Sequence, residues 1–382
     1  MTDTVLVTGA FGQVGKRCVE ILLSRGRTVV ATDLRTEATL AAAAGVDAPG
    51  HDGTLHTVYA DLLDEATVGA LVAEHRPGAI VHLAALFAPR SYRNPASARR
   101  ISVEGTTGLV RAAHALAEPP LLLYASSAAV YGSRNPHRYP ELITPDTPVH
   151  PIDQYGEDKV LTEAVVTGSG LPHAILRLGG VLSPDGTAGV NGDYLLLMRA
   201  TPGDNRLHAV DARDVATAFV NAVDRRAAVD GKILLIAGNE TYRHTHRDVE
   251  DEMLAALGIG RLGPSASLPG DPGDDRGWSF TGWFDTTESQ ALLDYQHHDW
   301  QQTVDWIARS QPRAIRAALH VLGPALRPIL RTLLARQRRS ERRGPYADPW
   351  KLIAAKYGPD VLASGGSIAK DSGAGAIPPM PD

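Results

Sequence analysis

A single cysteine, Cys18, stands among the 382 residues, so no intrachain disulfide can brace the fold. Cys18 falls in an amphipathic helical pattern, where a small buried apolar role outweighs that of a nucleophile. No stretch reaches ~18 uninterrupted apolar residues, so no membrane span is expected. The start, MTDTVLVTGA, lacks a basic segment leading into a long apolar run and enters a strand pattern at once. That argues against a secretory signal and makes the cytoplasm the expected location. A large excess of charge of one sign is also missing. The 38 Lys and Arg against 43 Asp and Glu leave a formal net charge of -5, which offers no footprint for nucleic acid. With 43% hydrophobic and 21% charged residues, the composition is that of an ordinary soluble globular chain. The length suits one large domain or two modest ones, and no internal repeat is visible.

What is present is an alternation. Short, continuous apolar runs at 4–8, 28–32, 57–60, 79–83, 121–125 and 173–178 read as strands. Between several of them, residues 13–25, 68–74, 103–117 and 155–166 carry helical spacing. Continuous rather than alternating apolar strands, separated by helices, predict an α/β fold with a doubly wound, Rossmann-like parallel sheet covered on both faces. After Gly180 the pattern loosens: helices are expected at 211–223, 247–257, 288–294 and 300–308, a strand at 232–237, and a Gly/Pro/Asp-rich loop at 264–277. Residues 1–180 thus read as a dinucleotide-binding domain and 181–308 as a smaller substrate-binding region. A basic helical extension follows at 309–363, then a small-residue tail at 364–382 expected to be disordered.

The string TGAFGQVG, residues 8–15, lies between the first strand and the first helix. Gly9 permits the tight turn, Gly12 lets backbone approach a pyrophosphate, and Gly15 allows close helix–strand packing. Phe11, Gln13 and Val14 lie in the same turn, where free N–H groups and the helix dipole would face the phosphates. A glycine triplet alone is weak; its place after a strand and before a helix gives it force. Asp33, ~20 residues on at the end of the second strand, suits the adenosine ribose hydroxyls and disfavours a 2′-phosphate. NAD is therefore the expected cofactor, with Arg35 keeping NADP as the lesser choice.

Tyr155 and Lys159 stand four apart at the start of a helix and project from one face. A free tyrosine titrates near pH ~10, and bringing it to neutrality needs ~3 units, or ~4 kcal/mol, which a nearby ammonium helps to supply. On their own such a pair is most often solvated surface. The surrounding sequence changes that reading. The chain resembles the extended short-chain dehydrogenase/reductase family, also called the NAD-dependent epimerase/dehydratase family. Its T-G-x-x-G-x-x-G matches residues 8–15, its Asp-Leu pair matches Asp61 and Leu62, and its H-L-A-A strand end matches residues 82–85. Its S-S-x-x-V-Y-G matches residues 126–132 and its Y-x-x-x-K matches Tyr155 and Lys159, while HAVDARDVA at 208–216 is similar to a later family string. The likeness runs over about residues 3–308. It implies that Tyr155 is an acid/base, that Lys159 lowers its pKa and holds the nicotinamide ribose, and that Ser127 hydrogen-bonds the reacting oxygen. It also implies that Asp61, Leu62, Leu83, Ala84 and Ala85 line the cofactor.

Three departures from the family pattern sharpen the expected function. Members that dehydrate nucleotide sugars carry an Asp-Glu pair after the reactive serine or threonine; here Ala128 and Ala129 occupy those places, which disfavours dehydration. In R-x-x-N-V the asparagine is Gly180, and the stretch from Gly180 to His208 is short, which weakens a nucleotide-sugar substrate. Ser102 replaces asparagine in SVEGT, read as a structural variation. The leading expectation is an NAD-dependent oxidoreductase moving hydride at a secondary alcohol or ketone of a small or apolar substrate. A sugar or nucleotide-sugar epimerase is the alternative, and a non-catalytic dinucleotide-binding regulator a second one. His82 and His208 read as structural, and His244, His246, His297 and His298 lack metal-ligand partners, so no metal is expected.

Residues 309–343 differ in kind: ten arginines, one glutamate and apolar residues at helical spacing from Ile315 to Leu334. Gly323, Pro324 and Pro328 are expected to break this amphipathic helix. It suits a cover over the protein's own surface, a partner contact, or a peripheral membrane contact. A homodimer is a further open partner reading.

Overall fold

The computed structural model describes residues 3–46, 52–185, 192–279 and 282–364. Seven parallel strands form the main sheet: β1 (Thr4–Thr8), β2 (Thr28–Asp33), β3 (Thr54–Tyr59), β4 (Ala79–His82), β5 (Leu121–Ser127), β6 (His173–Leu178) and β9 (Lys232–Ile236). Their spatial order is β3-β2-β1-β4-β5-β6-β9, so the order reverses between β1 and β4. Registers such as Val5↔Val29 and Val5↔Ala79 place β1 inside the sheet between β2 and β4, and its side chains are buried on both faces. The crevice for a dinucleotide lies at that reversal, beyond the carboxyl ends of the strands.

Two apolar layers sandwich the sheet. One holds Val5, Val7, Cys18, Leu22, Leu121, Leu123 and Phe219; the other holds Leu6, Val30, Ile80, Leu109, Leu122 and Ile175. Alternation along β1 sends Val5 and Val7 to one side and Leu6 to the other. Cys18 is fully buried, and burial drives its thiol pKa far up, consistent with its expected inert role.

The structure corrects several sequence-based boundaries. β3 begins at Thr54 rather than 57, and an alanine-rich helix, Glu37–Val46, was not anticipated. A small second sheet of β7 (Gly180–Leu182), β8 (Arg206–Asp211) and β10 (Arg243–Thr245), in the order β10-β8-β7, was not read either. β7 and β10 are three residues each, too short to leave a periodic signal. The extension at 309–343 is not broken: one helix, Arg313–Ser340, runs for 28 residues through both internal prolines. Pro324 and Pro328 lie on the exposed side, where carbonyls left without an N–H partner reach solvent. Gly323 is buried instead, with the Gly258 carbonyl so close that a Cβ would come within 2.1 Å of it. Of the expected tail, all but Ser364 lies outside the described residues.

Candidate active site

The glycine-rich turn connects β1 to the helix Gly15–Ser24. Gly9 takes φ +65°, and a Cβ there would stand 2.9 Å from the Ala84 amide nitrogen. A Cβ on Gly15 would come within 2.1 Å of the Gly9 carbonyl. Gly12 is different: only the Gly9 carbonyl, at 3.3 Å, approaches its missing Cβ, so its outer side stays open to a phosphate. Asp33 accepts hydrogen bonds from the Phe11 N–H at 3.1 Å and the Leu34 N–H at 2.8 Å, which fixes the turn against the end of β2. Partial burial raises its pKa while those two donors oppose the rise. Gln13 accepts from the Ser183 hydroxyl at 2.8 Å, and Val14 is buried.

On the other side of the crevice, Leu83 donates to the Thr8 carbonyl at 3.2 Å and Ala84 to the Thr8 hydroxyl at 3.3 Å. Ala85 follows. Asp61 caps a turn through the Leu63 N–H at 3.0 Å, and Leu62 is buried against Gly105. The glycines, Asp33, Asp61–Leu62 and Leu83–Ala85 therefore gather at the carboxyl ends of β1, β2, β3 and β4, a shape and donor set that fit a dinucleotide.

Ser127 ends β5, and its hydroxyl accepts from the Ala129 N–H at 3.2 Å. The next residues, Ala128–Tyr131, form a single turn that carries no acid at the two positions after the serine. The helix Gln154–Thr167 begins directly above it. Gly156 makes this possible, since a Cβ there would lie 2.5 Å from the Ala129 carbonyl. Tyr155 is thereby brought close enough to Ser127 for the serine hydroxyl to act on the phenol. One turn later, Lys159 is buried and its Nζ donates to the Ala125 carbonyl at 2.6 Å. It stands 5.9 Å from the Tyr155 ring centre and 4.8 Å from that of Tyr124. Ser127, Tyr155 and Lys159 thus lie together where β5 ends and this helix begins.

Burial dominates the electrostatics here. It lowers the Lys159 pKa to about 8, with Glu163 and Asp158 acting the other way. It raises the Tyr155 phenol to about 12, the Ser127 hydrogen bond opposing. His82 and His208 are structural, as expected. His82 joins the Thr8 hydroxyl at 2.7 Å to that of Thr106 at 2.9 Å, and burial holds its pKa down at about 3. His208 bonds the Gly238 carbonyl at 3.0 Å and the Phe284 N–H at 2.9 Å.

Sequence reasoning missed the supports around Tyr155. Asp153, fully buried, caps the helix through the Gly156 N–H at 3.0 Å and accepts from the Tyr92 hydroxyl at 2.6 Å. Arg99 pairs with Asp158 at 2.7 Å and with Glu157. Most unexpectedly, residues 349–364 return to this place. The helix Pro349–Tyr357 puts Trp350 and Ile353 into one cluster with Tyr92, Ile152 and Val361, and Tyr155 packs against it. The Ala363 N–H donates to the Ile152 carbonyl at 3.1 Å and the Ser364 N–H to Glu157 at 3.0 Å. Lys356 and Arg93 converge on Asp193, the lysine at 2.7 Å. No local spacing announces these contacts, because partners such as Glu157 and Ser364 lie more than 200 residues apart.

A parallel sheet with a glycine-rich turn at its order reversal, and Ser127 at the end of β5 beside the helix that carries Tyr155 and Lys159, defines a Rossmann-like dinucleotide-binding architecture. The chain belongs to the NAD dependent epimerase/dehydratase family, whose model matches residues 5–237. A UDP-glucose 4-epimerase from Lactobacillus helveticus is 30% identical over 48% of this chain and 54% of its own length. A D-erythronate dehydrogenase from Cupriavidus necator is 28% identical over 43% of this chain and 49% of its own. The chain spans about half the length of the curated relatives it matches. Among solved structures, a UDP-glucuronic acid 4-epimerase from Bacillus cereus, in complex with UDP-glucuronic acid and NAD, superposes with a TM-score of 0.63 at 19% identity, covering 81% of this chain and 100% of that one. These similarities agree with NAD as cofactor. They favour the epimerase alternative over the net oxidoreductase that led the sequence-based expectation. Among the described residues no helix is long and apolar enough to cross a membrane.

Proposed function

We propose that the chain is an NAD-dependent 4-epimerase of a nucleotide sugar. The observation that carries the reading is the convergence of Ser127, Tyr155 and Lys159 beside Ala128 and Ala129, a site equipped for oxidation of a carbinol and not for elimination of water. Relatives of both kinds, epimerase and dehydrogenase, share the matched half, and sugar-nucleotide epimerases recur among them.

The chain's own residues divide the work. Gly9, Phe11, Gly12, Gln13, Val14 and Gly15 present backbone to the pyrophosphate, and Asp33 faces the adenosine ribose. Asp61, Leu62, Leu83, Ala84 and Ala85 flank the adenine and nicotinamide sides. Lys159 holds the nicotinamide ribose. When bound, NAD supplies the hydride acceptor and a positive ring charge. Tyr155, as phenolate, takes the proton from the substrate hydroxyl, and Ser127 donates to the same oxygen as it gains carbonyl character. When charged, Lys159 favours the phenolate over the phenol, against the burial that raises the Tyr155 pKa. Return of the proton from Tyr155 completes the reverse transfer.

A second reading, net dehydrogenation of a smaller polyol or hydroxy acid, is supported by two features. Gly180 stands where the family's sugar-contacting asparagine would be, and residues 349–364 pack beside Tyr155. Incubation with NAD and UDP-glucose, UDP-glucuronic acid or UDP-arabinose, followed by proton NMR, decides between the two. Appearance of the C4 epimer without net absorbance at the NADH band supports epimerisation. Net NADH formation from a non-nucleotide alcohol, with no sugar epimer, replaces it with the dehydrogenase.

A further inference from the structure

We propose that the outward face of the helix Arg313–Ser340 docks on an anionic lipid bilayer surface. The inward face of this helix is accounted for. Gly323 packs on the 258–259 backbone, while Arg327, Arg331 and Arg338 donate to the carbonyls of Ile259, Leu262 and Ser265. Glu341, the one acid of residues 309–343, pairs with Arg199. What remains is a second, uncovered stripe. Ile315, Leu322 and Ile329 recur every seven residues, and Leu333 continues their line four residues on, a spacing that keeps them on one side of an α-helix. Each is about half exposed, and Val321 beside them is 78% exposed. Soluble surfaces carry single apolar residues freely, but a contiguous row of large aliphatics marks a contact.

Charge selects the partner. Residues 309–343 carry a net +9, while the rest of the chain carries -14. Arg313, Arg316, Arg336 and Arg339 have no side-chain hydrogen bond or ion pair among the described residues, and Arg336 and Arg339 fall on the open side of the helix, near the apolar stripe. Aliphatic residues on one line with unpaired arginines around them match an interface whose depth is apolar and whose headgroups are negative. A second copy of the chain fits less well. Pairing through this stripe would bring two +9 segments together, and the stripe is shorter than the three to four heptads that sustain a coiled coil. Among the described residues no helix is long and apolar enough to cross a bilayer, so the contact is peripheral.

The test is co-sedimentation of the full chain with vesicles of phosphatidylcholine alone and of phosphatidylcholine mixed with phosphatidylglycerol. Two variants accompany it: Leu322→Asp with Ile329→Asp, and Arg336→Glu with Arg339→Glu. All four positions are exposed, and unchanged melting curves confirm folding. The expected result is binding to the mixed vesicles only, weakened by salt and reduced on the order of tenfold or more by either variant. Absence of binding to the mixed vesicles overturns the proposal. So does binding that the aspartate variant leaves intact, since charge alone would then suffice. A dimer in sedimentation velocity that the aspartate variant dissociates, with no vesicle binding, assigns the stripe to a second copy instead.

Discussion

The glycine-rich half of the sheet and the C-terminal residues 349–364 both converge on the active-site cleft, yet they are built by different means. β1, β5 and the helix Gln154–Thr167 place their residues through local devices: a turn that needs Gly9, a strand that ends on Ser127, and a close approach that needs Gly156. The C-terminal segment reaches Tyr155 through bulk contact, with Trp350, Ile353 and Val361 buried against Tyr92 and Ile152. The first arrangement orients reacting groups; the second supports the ring of Tyr155 and the Asp153 cap behind it. The comparison teaches that one catalytic helix can depend equally on a motif and on a segment beyond the 5–237 family match.

Breaking the motif side should show the largest effect. Tyr155→Phe removes the proton acceptor while leaving the packing intact, so kcat should fall about 10³-fold, within the range of general acid–base catalysis. NAD affinity, read by fluorescence titration, should stay close to wild type. Unchanged turnover in this variant would remove Tyr155 from the proposed mechanism.

Breaking the packing side comes next. Trp350→Ala empties a buried aromatic site and should cost about 3–4 kcal/mol of stability, read as a lowered urea midpoint. Because the same cluster supports Tyr155, kcat should drop further than NAD binding does. Equal retention of kcat in the folded variant would confine the segment to a stabilising role.

Gly156→Ala tests where the two sides meet. The new methyl would press on the Ala129 carbonyl at 2.5 Å, a backbone atom that cannot rotate away. The expected cost is about 1–3 kcal/mol, with Tyr155 displaced from Ser127 and kcat reduced. Matching stability and activity to wild type would show that the helix can shift without consequence.

The remaining effect concerns pH and is confined to acid conditions. Burial depresses the folded pKa of His82 to about 3, whereas the unfolded chain protonates it near ~6.5. Its contribution to stability is therefore present above ~6.5 and is lost as pH falls toward 3, because only the unfolded state takes up the proton. His82→Gln, which can still bridge Thr8 and Thr106, should flatten that loss by one proton, about 1.4 kcal/mol per pH unit. Urea midpoints between pH 6.5 and 4 measure it, and an identical slope in both proteins would assign the acid sensitivity elsewhere.

Much of the cofactor half was legible in the sequence. Continuous apolar strands, Gly9, Gly12 and Gly15, Asp33, and the Ser127–Tyr155–Lys159 set all produce signals within a few residues of one another or at family spacings. The helix Arg313–Ser340 shows the limit of such reading. Its prolines carry a local penalty that predicts a break, but they face solvent, and the buried Gly323 with three arginine-to-carbonyl bonds holds the helix together. Arg99 and Tyr92 were illegible for the related reason that their bonds to Asp158 and Asp153 cross about 60 residues and leave no periodicity.

Local signals settled the parallel sheet, the glycine-rich turn and the residue types proposed to react, because backbone preferences and apolar periodicity act over short stretches of chain. Only the tertiary structure decided what stands behind Tyr155, which arginines of the last long helix are used internally, and which aliphatic face is left open. Those outcomes depend on contacts between residues that in places lie more than 200 positions apart, chosen by shape and desolvation once the elements have packed.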